Sequence, residues 1–304
     1  MSKRLSSAGN DDAEQVLERL ADRLHAGDRL RVWSIIITVF GDAVVPRGGT
    51  VALTALQAIT ARLRIEPGAV RAAMSRLVRD GWITRRKVGR RSFYQLTPES
   101  LEEVVAASRR IYAPEAASEA ARVTLAVIEN GANERRDRQH EALMRVGFAR
   151  VDGGTYVRAW GKDAVPPDLS TADALILDTA VPGVPMWLRD TLSPPDTARA
   201  YEALIDAYTP LDEALAAGAA LSPLDAMAAR TLLIHDWRRT LLRDHDLPAG
   251  FRAENWPGAR ARRLVRELYE RLWPLSERWL DGCDGGGDGP LPPASASART
   301  RFGA

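Results

Sequence analysis

Apolar positions repeat mostly every three or four residues, and that spacing predicts a mainly helical chain. The first run is Val16, Leu17, Leu20 and Leu24, with Asp12 as N-cap and Gly27 as stop. Residues 1–12 lack the pattern and are expected to be disordered. Trp33 to Phe40 is densely apolar and ends at Gly41-Asp42, which predicts a buried helix. Leu53, Leu56, Ile59 and Leu63 make the next helix. Pro67 opens a third, which Gly81 closes. Residues 82–86 and 92–96 then read as short strands around a turn at Gly89. Thr97-Pro98 caps a helix running to about Tyr112, and Ala113-Pro114 reads as a boundary.

Residues 123–128 form a β-like run, followed by a charged amphipathic helix over about 133–145. Residues 155–160 and 174–177 read as further strands, so this stretch predicts a small α+β sandwich. From Pro195 on, helices are expected over 196–217, 223–244 and 258–281, while Gly, Pro, Ser and Ala dominate 282–304, expected to be a disordered tail. The fold class is α+β, mostly helical. The expected parts are an N-terminal head over 13–98, a linker helix over 99–117, a middle domain over 118–194 and a helical C-terminal domain over 195–281.

Charge changes the picture at one place. Residues 62–91 hold ten Lys or Arg against Glu66 and Asp80, an excess of eight on a chain whose whole balance is +2. Such concentration is the footprint of a phosphate-backbone binder. On a helix over 67–80, Val70, Ala73, Met74 and Leu77 share one arc. Arg71, Ala72, Ser75, Arg76 and Arg79 share the other. Arginine pairs with guanine, serine bonds bases or phosphate, and alanine permits close approach, so this arc suits a major groove. The hairpin tip, Lys87-Val88-Gly89-Arg90-Arg91, is a cationic ribbon of the kind that forms the wing of a winged helix-turn-helix. Arg47, in Pro46-Arg47-Gly48-Gly49, is expected to add a phosphate contact. A basic face is also compatible with plain solvation of long side chains.

Other chemistry finds little support. Cys283, the single cysteine, excludes an intrachain disulfide and sits in a glycine-rich setting that reads as exposed. His235-Asp236 and His245-Asp246 fall on nearly opposed faces of one helix and do not make a metal site. No nucleophile constellation is visible, and Gly285-Gly286-Gly287 lacks the flanking strand and helix of a phosphate loop. No signal segment or membrane-length apolar run is present, so a cytoplasmic location without membrane contact is expected.

Several runs resemble the PaaX family of phenylacetic-acid degradation repressors. They are Val39-Phe40-Gly41-Asp42, Pro46-Arg47-Gly48-Gly49, the stretch from Ala69 to Trp82, and Gly89 to Pro98. Arg110-Ile111-Tyr112, Leu232 to Arg239, Leu242-Arg243-Asp244, Leu247-Pro248 and Asn255-Trp256-Pro257-Gly258 continue the likeness in order. The resemblance implies a winged helix, a ferredoxin-like (Cas2-like) middle domain and a helical C-terminal domain. It implies a homodimeric repressor of an aromatic-acid operon, without catalysis, bound to inverted-repeat operator DNA and released by an aryl-CoA thioester such as phenylacetyl-CoA. No cofactor is expected. Where the family carries a tryptophan-rich stretch, this chain has Ala116 to Ala121 without aromatics. A nuclease reading of a Cas2-like domain needs an acid on its first strand, and Val123 to Ile128 holds none.

Within the resemblance, Arg238, Arg239 and Arg243 are candidates for the effector's phosphates, and Trp237 and Trp256 for its aryl group. Structural ion pairs with Asp236, Asp244 or Asp246 are the competing role for these arginines. Two alternative functions stay open: a CoA-thioester enzyme with a DNA-binding head, and a non-specific architectural nucleic-acid-binding protein.

Overall fold

The computed structural model describes residues 2–26, 30–114, 122–131, 134–160, 174–245, 247–284 and 289–303, with backbone alone over 2–11. Gly27, Asn133, Ala116 to Ala121, Asp246 and Gly285 to Gly287, all invoked above, lie outside the described residues. The protein is α+β and mostly helical, with two small antiparallel sheets among the described residues. The chain groups into two compact units. One takes Met1–Glu115, Ala203–Arg239 and Arg260–Ala304, and the other takes Ala116–Glu202 and Thr240–Ala259. By this grouping, residues 203–239 and 260–304 share a unit with residues 1–115.

In the first unit, α1 (Ser2–Ala26) buries Val16, Leu17 and Leu20 as its spacing requires. It also covers residues expected to be disordered, because the helix continues N-terminally from its anchored half. Helix α2 (Val32–Val39) is buried from Ser34 to Val39. It does not stop at Gly41-Asp42 but runs on as a π-helical turn, Phe40–Val44. Gly41 fits there because an added Cβ would lie 3.0 Å from Val104. Gly48 and Gly49 take positive φ, a conformation that favours glycine, and turn the chain into β1 (Thr50–Ala52). Helices α3 (Leu53–Arg62) and α4 (Pro67–Arg79) follow, then β2 (Ile83–Val88), β3 (Arg91–Leu96) and α5 (Pro98–Ile111). The sheet order is β1-β3-β2. The Thr97 side chain caps α5 by accepting from the Ser100 backbone N–H at 3.3 Å.

The second unit holds β4 (Arg122–Ile128), α6 (Glu134–Arg145), β5 (Ala149–Asp152), β6 (Thr155–Ala159), β7 (Ala174–Ala180) and α7 (Met186–Thr191). Its strand order is β5-β6-β4-β7, all pairs antiparallel. One sheet face buries Ala126, Ile128 and Tyr156 against Ala142 and Leu143 of α6. The other buries Val123 and Val157 with Leu192 and Phe251. Strands β1 and β5 were not expected.

The remaining helices are α8 (Pro195–Ala216), α9 (Pro223–Leu241), α10 (Gly258–Asp281) and α11 (Ala296–Arg299). The tail expectation over 282–304 is corrected for the described part. Leu291, Ala298 and Phe302 are buried, and Phe302 sits edge-on to Tyr112 and Tyr269, with centroids 5.3 and 5.4 Å apart. Cys283 is buried as well, not exposed, and burial pushes its thiol up to about 11.

Candidate nucleic-acid interface

Pro67 supplies the first turn of α4, where no backbone N–H is required, and Gly81 at φ +75° ends its continuation. Val70, Met74 and Leu77 are buried. Arg71, Ala72, Ser75, Arg76 and Arg79 are exposed on the opposite arc. Arg76 and Arg79 are 62% and 74% exposed, and both reach Asp80, at 3.2 and 3.3 Å. Surface pairs of that kind hold little energy, so phosphate or a base edge can displace them.

The hairpin closes through Val88 opposite Arg91, with Gly89 at φ +57° in the turn. Ile83, Phe93 and Leu96 pin its base in the core. Residues 84–91 are exposed throughout, so Arg85, Arg86, Lys87, Arg90 and Arg91 project on a finger. Arg85 donates to the Ser92 hydroxyl at 2.8 Å, and Arg91 pairs with Asp284. The structure thus places the helix arc and the hairpin tip as expected, within one unit.

Arg47 is a correction. It is 3% exposed and clamped by Glu277 at 2.6 Å, Asp281 at 2.8 Å and the Pro292 carbonyl at 3.1 Å. Its guanidinium is consumed inside the protein and faces no phosphate. It belongs to a larger buried set that the sequence reading missed. Arg230, fully buried, donates to Asp42 at 2.7 Å, Ser276 at 3.0 Å and Glu277 at 2.7 Å, with its guanidinium 4.4 Å from the Trp273 ring centroid. Arg301 donates to the same Asp42 carboxylate at 2.9 Å, as do Tyr112 at 2.7 Å and Tyr269 at 3.0 Å. Burial alone would raise the Asp42 pKa, yet Arg230 and Arg301 hold it below the usual carboxylate value. The available signal was a lone arginine inside the apolar run from Ala226 to Ile234.

The effector candidates fare differently. Trp237 is fully buried, and its indole N–H donates to the Ile111 carbonyl at 2.9 Å, so it offers no face to a ligand. Arg238 is partly buried and donates to the Ser34 carbonyl and hydroxyl. Arg239 and Arg243 are exposed. Trp256 packs edge-on to Tyr201 at 5.9 Å and lies 4.8 Å from the Arg252 guanidinium. Trp237, Arg238 and Arg239 belong to the first unit and Arg243 and Trp256 to the second, so no single unit gathers all five. Among the described residues no group of three or more His, Cys, Asp or Glu is placed to hold a metal. None of the described helices is long and apolar enough to cross a membrane.

A helix with a cationic outer arc, beside a cationic two-stranded finger, defines a candidate nucleic-acid-binding protein. Comparison with known proteins gives the family. The family model described as PaaX-like protein matches residues 31–100, and the one described as PaaX-like protein C-terminal domain matches residues 195–282. Together they match just over half of the chain, which belongs to the PaaX-like family. The chain is 28% identical, over 284 residues and 89% of each chain, to the transcriptional repressor PaaX of Escherichia coli (strain K12). Its fold is similar to that of the uncharacterized protein Rv0674 from Mycobacterium tuberculosis. The TM-score is 0.53 at 19% identity, over 80% of this chain and 95% of that one.

Proposed function

We propose that this protein is a DNA-binding transcriptional repressor of an aromatic-acid catabolic operon, with no catalysis of its own. The observation that carries it is the exposed arc of α4, with Arg71, Ser75, Arg76 and Arg79 directed away from a buried apolar arc. In this reading residues 13–98 are a winged helix-turn-helix. Helix α4 enters a major groove, and Lys87, Arg90 and Arg91 on the wing meet the flanking backbone. The strand order β5-β6-β4-β7 supports a ferredoxin-like middle domain. A homodimer reads an inverted repeat in the cytoplasm, since two-fold protein symmetry matches two-fold operator symmetry. An aryl-CoA thioester, phenylacetyl-CoA for a phenylacetate operon, releases it by favouring a dimer whose heads no longer fit the half-site spacing.

The test is gel-shift competition on DNA from upstream of its own operon, at physiological salt, with and without phenylacetyl-CoA. Specific retention that survives unrelated DNA and disappears with the thioester supports the proposal. Retention abolished equally by unrelated DNA points to a non-specific architectural role, and release of free thiol from the thioester would point to an enzyme.

A further inference from the structure

Asp80 ends α4 and stands at the C-terminal edge of its cationic arc. One oxygen of its carboxylate accepts the Arg76 Nε–H at 3.2 Å, and the other accepts the Arg79 Nε–H at 3.3 Å. The terminal nitrogens of both guanidinium groups make no hydrogen bond among the described residues. Both arginines are mostly exposed, so those ends are open to an incoming partner.

Stability does not account for an acid in this place. A carboxylate at the C-terminus of a helix faces the negative end of the helix dipole. Arg76 and Asp80 pair across one turn with the base first, the weaker of the two orders. The pair is also too exposed to hold much energy. Attraction to phosphate does not account for it either, because Asp80 offsets one of the ten Lys or Arg charges of residues 62–91. What the carboxylate supplies is orientation. An arginine tied by its Nε–H keeps its two terminal nitrogens as a fork, which matches O6 and N7 of guanine. Guanine met in this way leaves both bonds to Asp80 in place.

We propose that Asp80 is a positioning residue for DNA reading. It holds Arg76, and through its second oxygen Arg79, so that the free ends of these guanidinium groups meet guanine. The inference rests on α4 as the DNA-reading helix, and it adds the base selected and the acid that sets the selection.

The test is selection from a pool of duplexes with a randomised centre, at physiological salt. The full-length wild type, Asp80→Asn, Asp80→Glu and Arg76→Ala are compared. The wild type should enrich a motif with a guanine that Arg76→Ala no longer requires. Asp80→Asn should bind the unselected pool more tightly than the wild type, because an anion is gone; this binding also shows that the variant folds. Its preference for that guanine should nevertheless fall about fivefold or more, the discrimination of a weak bidentate pair. Asp80→Glu, which keeps a carboxylate within reach, should restore the preference. Adding Asp80→Asn to Arg76→Ala should change it no further. Undiminished guanine preference in Asp80→Asn, or no restoration by Asp80→Glu, overturns the proposal and leaves α4 as the reading helix. A wild type that enriches no motif overturns both.

Discussion

Arg230 donates to Asp42 at 2.7 Å across 188 residues of sequence, and neither side chain touches solvent. The pair ties the π-helical turn after α2 to the middle of α9. Glu277 binds both Arg230 and Arg47, and Arg301 brings the chain's last turn to Asp42. The part that carries the basic surface is thus held by charges supplied from the far end of the chain. Removing one partner leaves the other buried and unpaired. Arg230→Met should therefore destabilise the protein by about 3–5 kcal/mol, measured by urea unfolding. A change within the error of that measurement would dismiss the network as a stabilising element.

Burial lowers the pKa of His235 to about 3, with Arg238 and Arg239 adding to the effect. The folded chain keeps the ring neutral, whereas the unfolded chain protonates it below its ordinary value of 6.5. Stability contributed by the neutral ring is complete above pH 6.5 and falls as pH drops toward 3, by up to about 1.4 kcal/mol per pH unit. Unfolding curves between pH 7 and about pH 5 should be flatter for His235→Gln than for the wild type. Parallel curves would mean that the ring is solvated.

Asp284 pairs with Arg91 at the base of the finger's tip. Arg91 is largely exposed and Asp284 half-buried, so the pair adds only modestly to stability, but it sets a carboxylate beside the cationic surface. Asp284→Asn should tighten DNA binding and steepen its salt dependence by up to about one unit of log–log slope. Arg91→Ala should remove that gain in a double-mutant cycle, read by fluorescence anisotropy. Additive effects of the two changes would show that the pair is irrelevant to DNA.

Phe302 fills the space beside Tyr112 and Tyr269. Phe302→Ala should cost about 3 kcal/mol of stability by differential scanning calorimetry. A loss below about 0.5 kcal/mol, the range of ordinary surface substitutions, would restore the view of residues 289–303 as a free tail.

The amphipathic period of α4 and the Gly89 turn were legible because their cause is local: the buried and exposed residues lie within one or two turns of each other. Arg47 was misread for the opposite reason. A Pro-Arg-Gly-Gly loop looks exposed, and the acids that consume its guanidinium lie 230 and 234 residues away. The C-terminal segment was missed because its buried residues, Leu291, Ala298 and Phe302, are too sparse to form a period. Strands β1 and β5 are three and four residues long, shorter than any alternation can mark. Trp237 is a candidate ligand wall within the family resemblance, but its full burial and the indole N–H bond to the Ile111 carbonyl make it core.

The most direct measurement is the affinity of Arg71→Ala and Arg76→Ala for an operator half-site and for unrelated DNA, beside Arg47→Ala as the buried comparison. Each α4 variant should lose about 1–3 kcal/mol of specific binding, while Arg47→Ala, once folded, should keep the wild-type preference. Undiminished specific affinity in both α4 variants would contradict the assignment of α4 as the element that reads DNA.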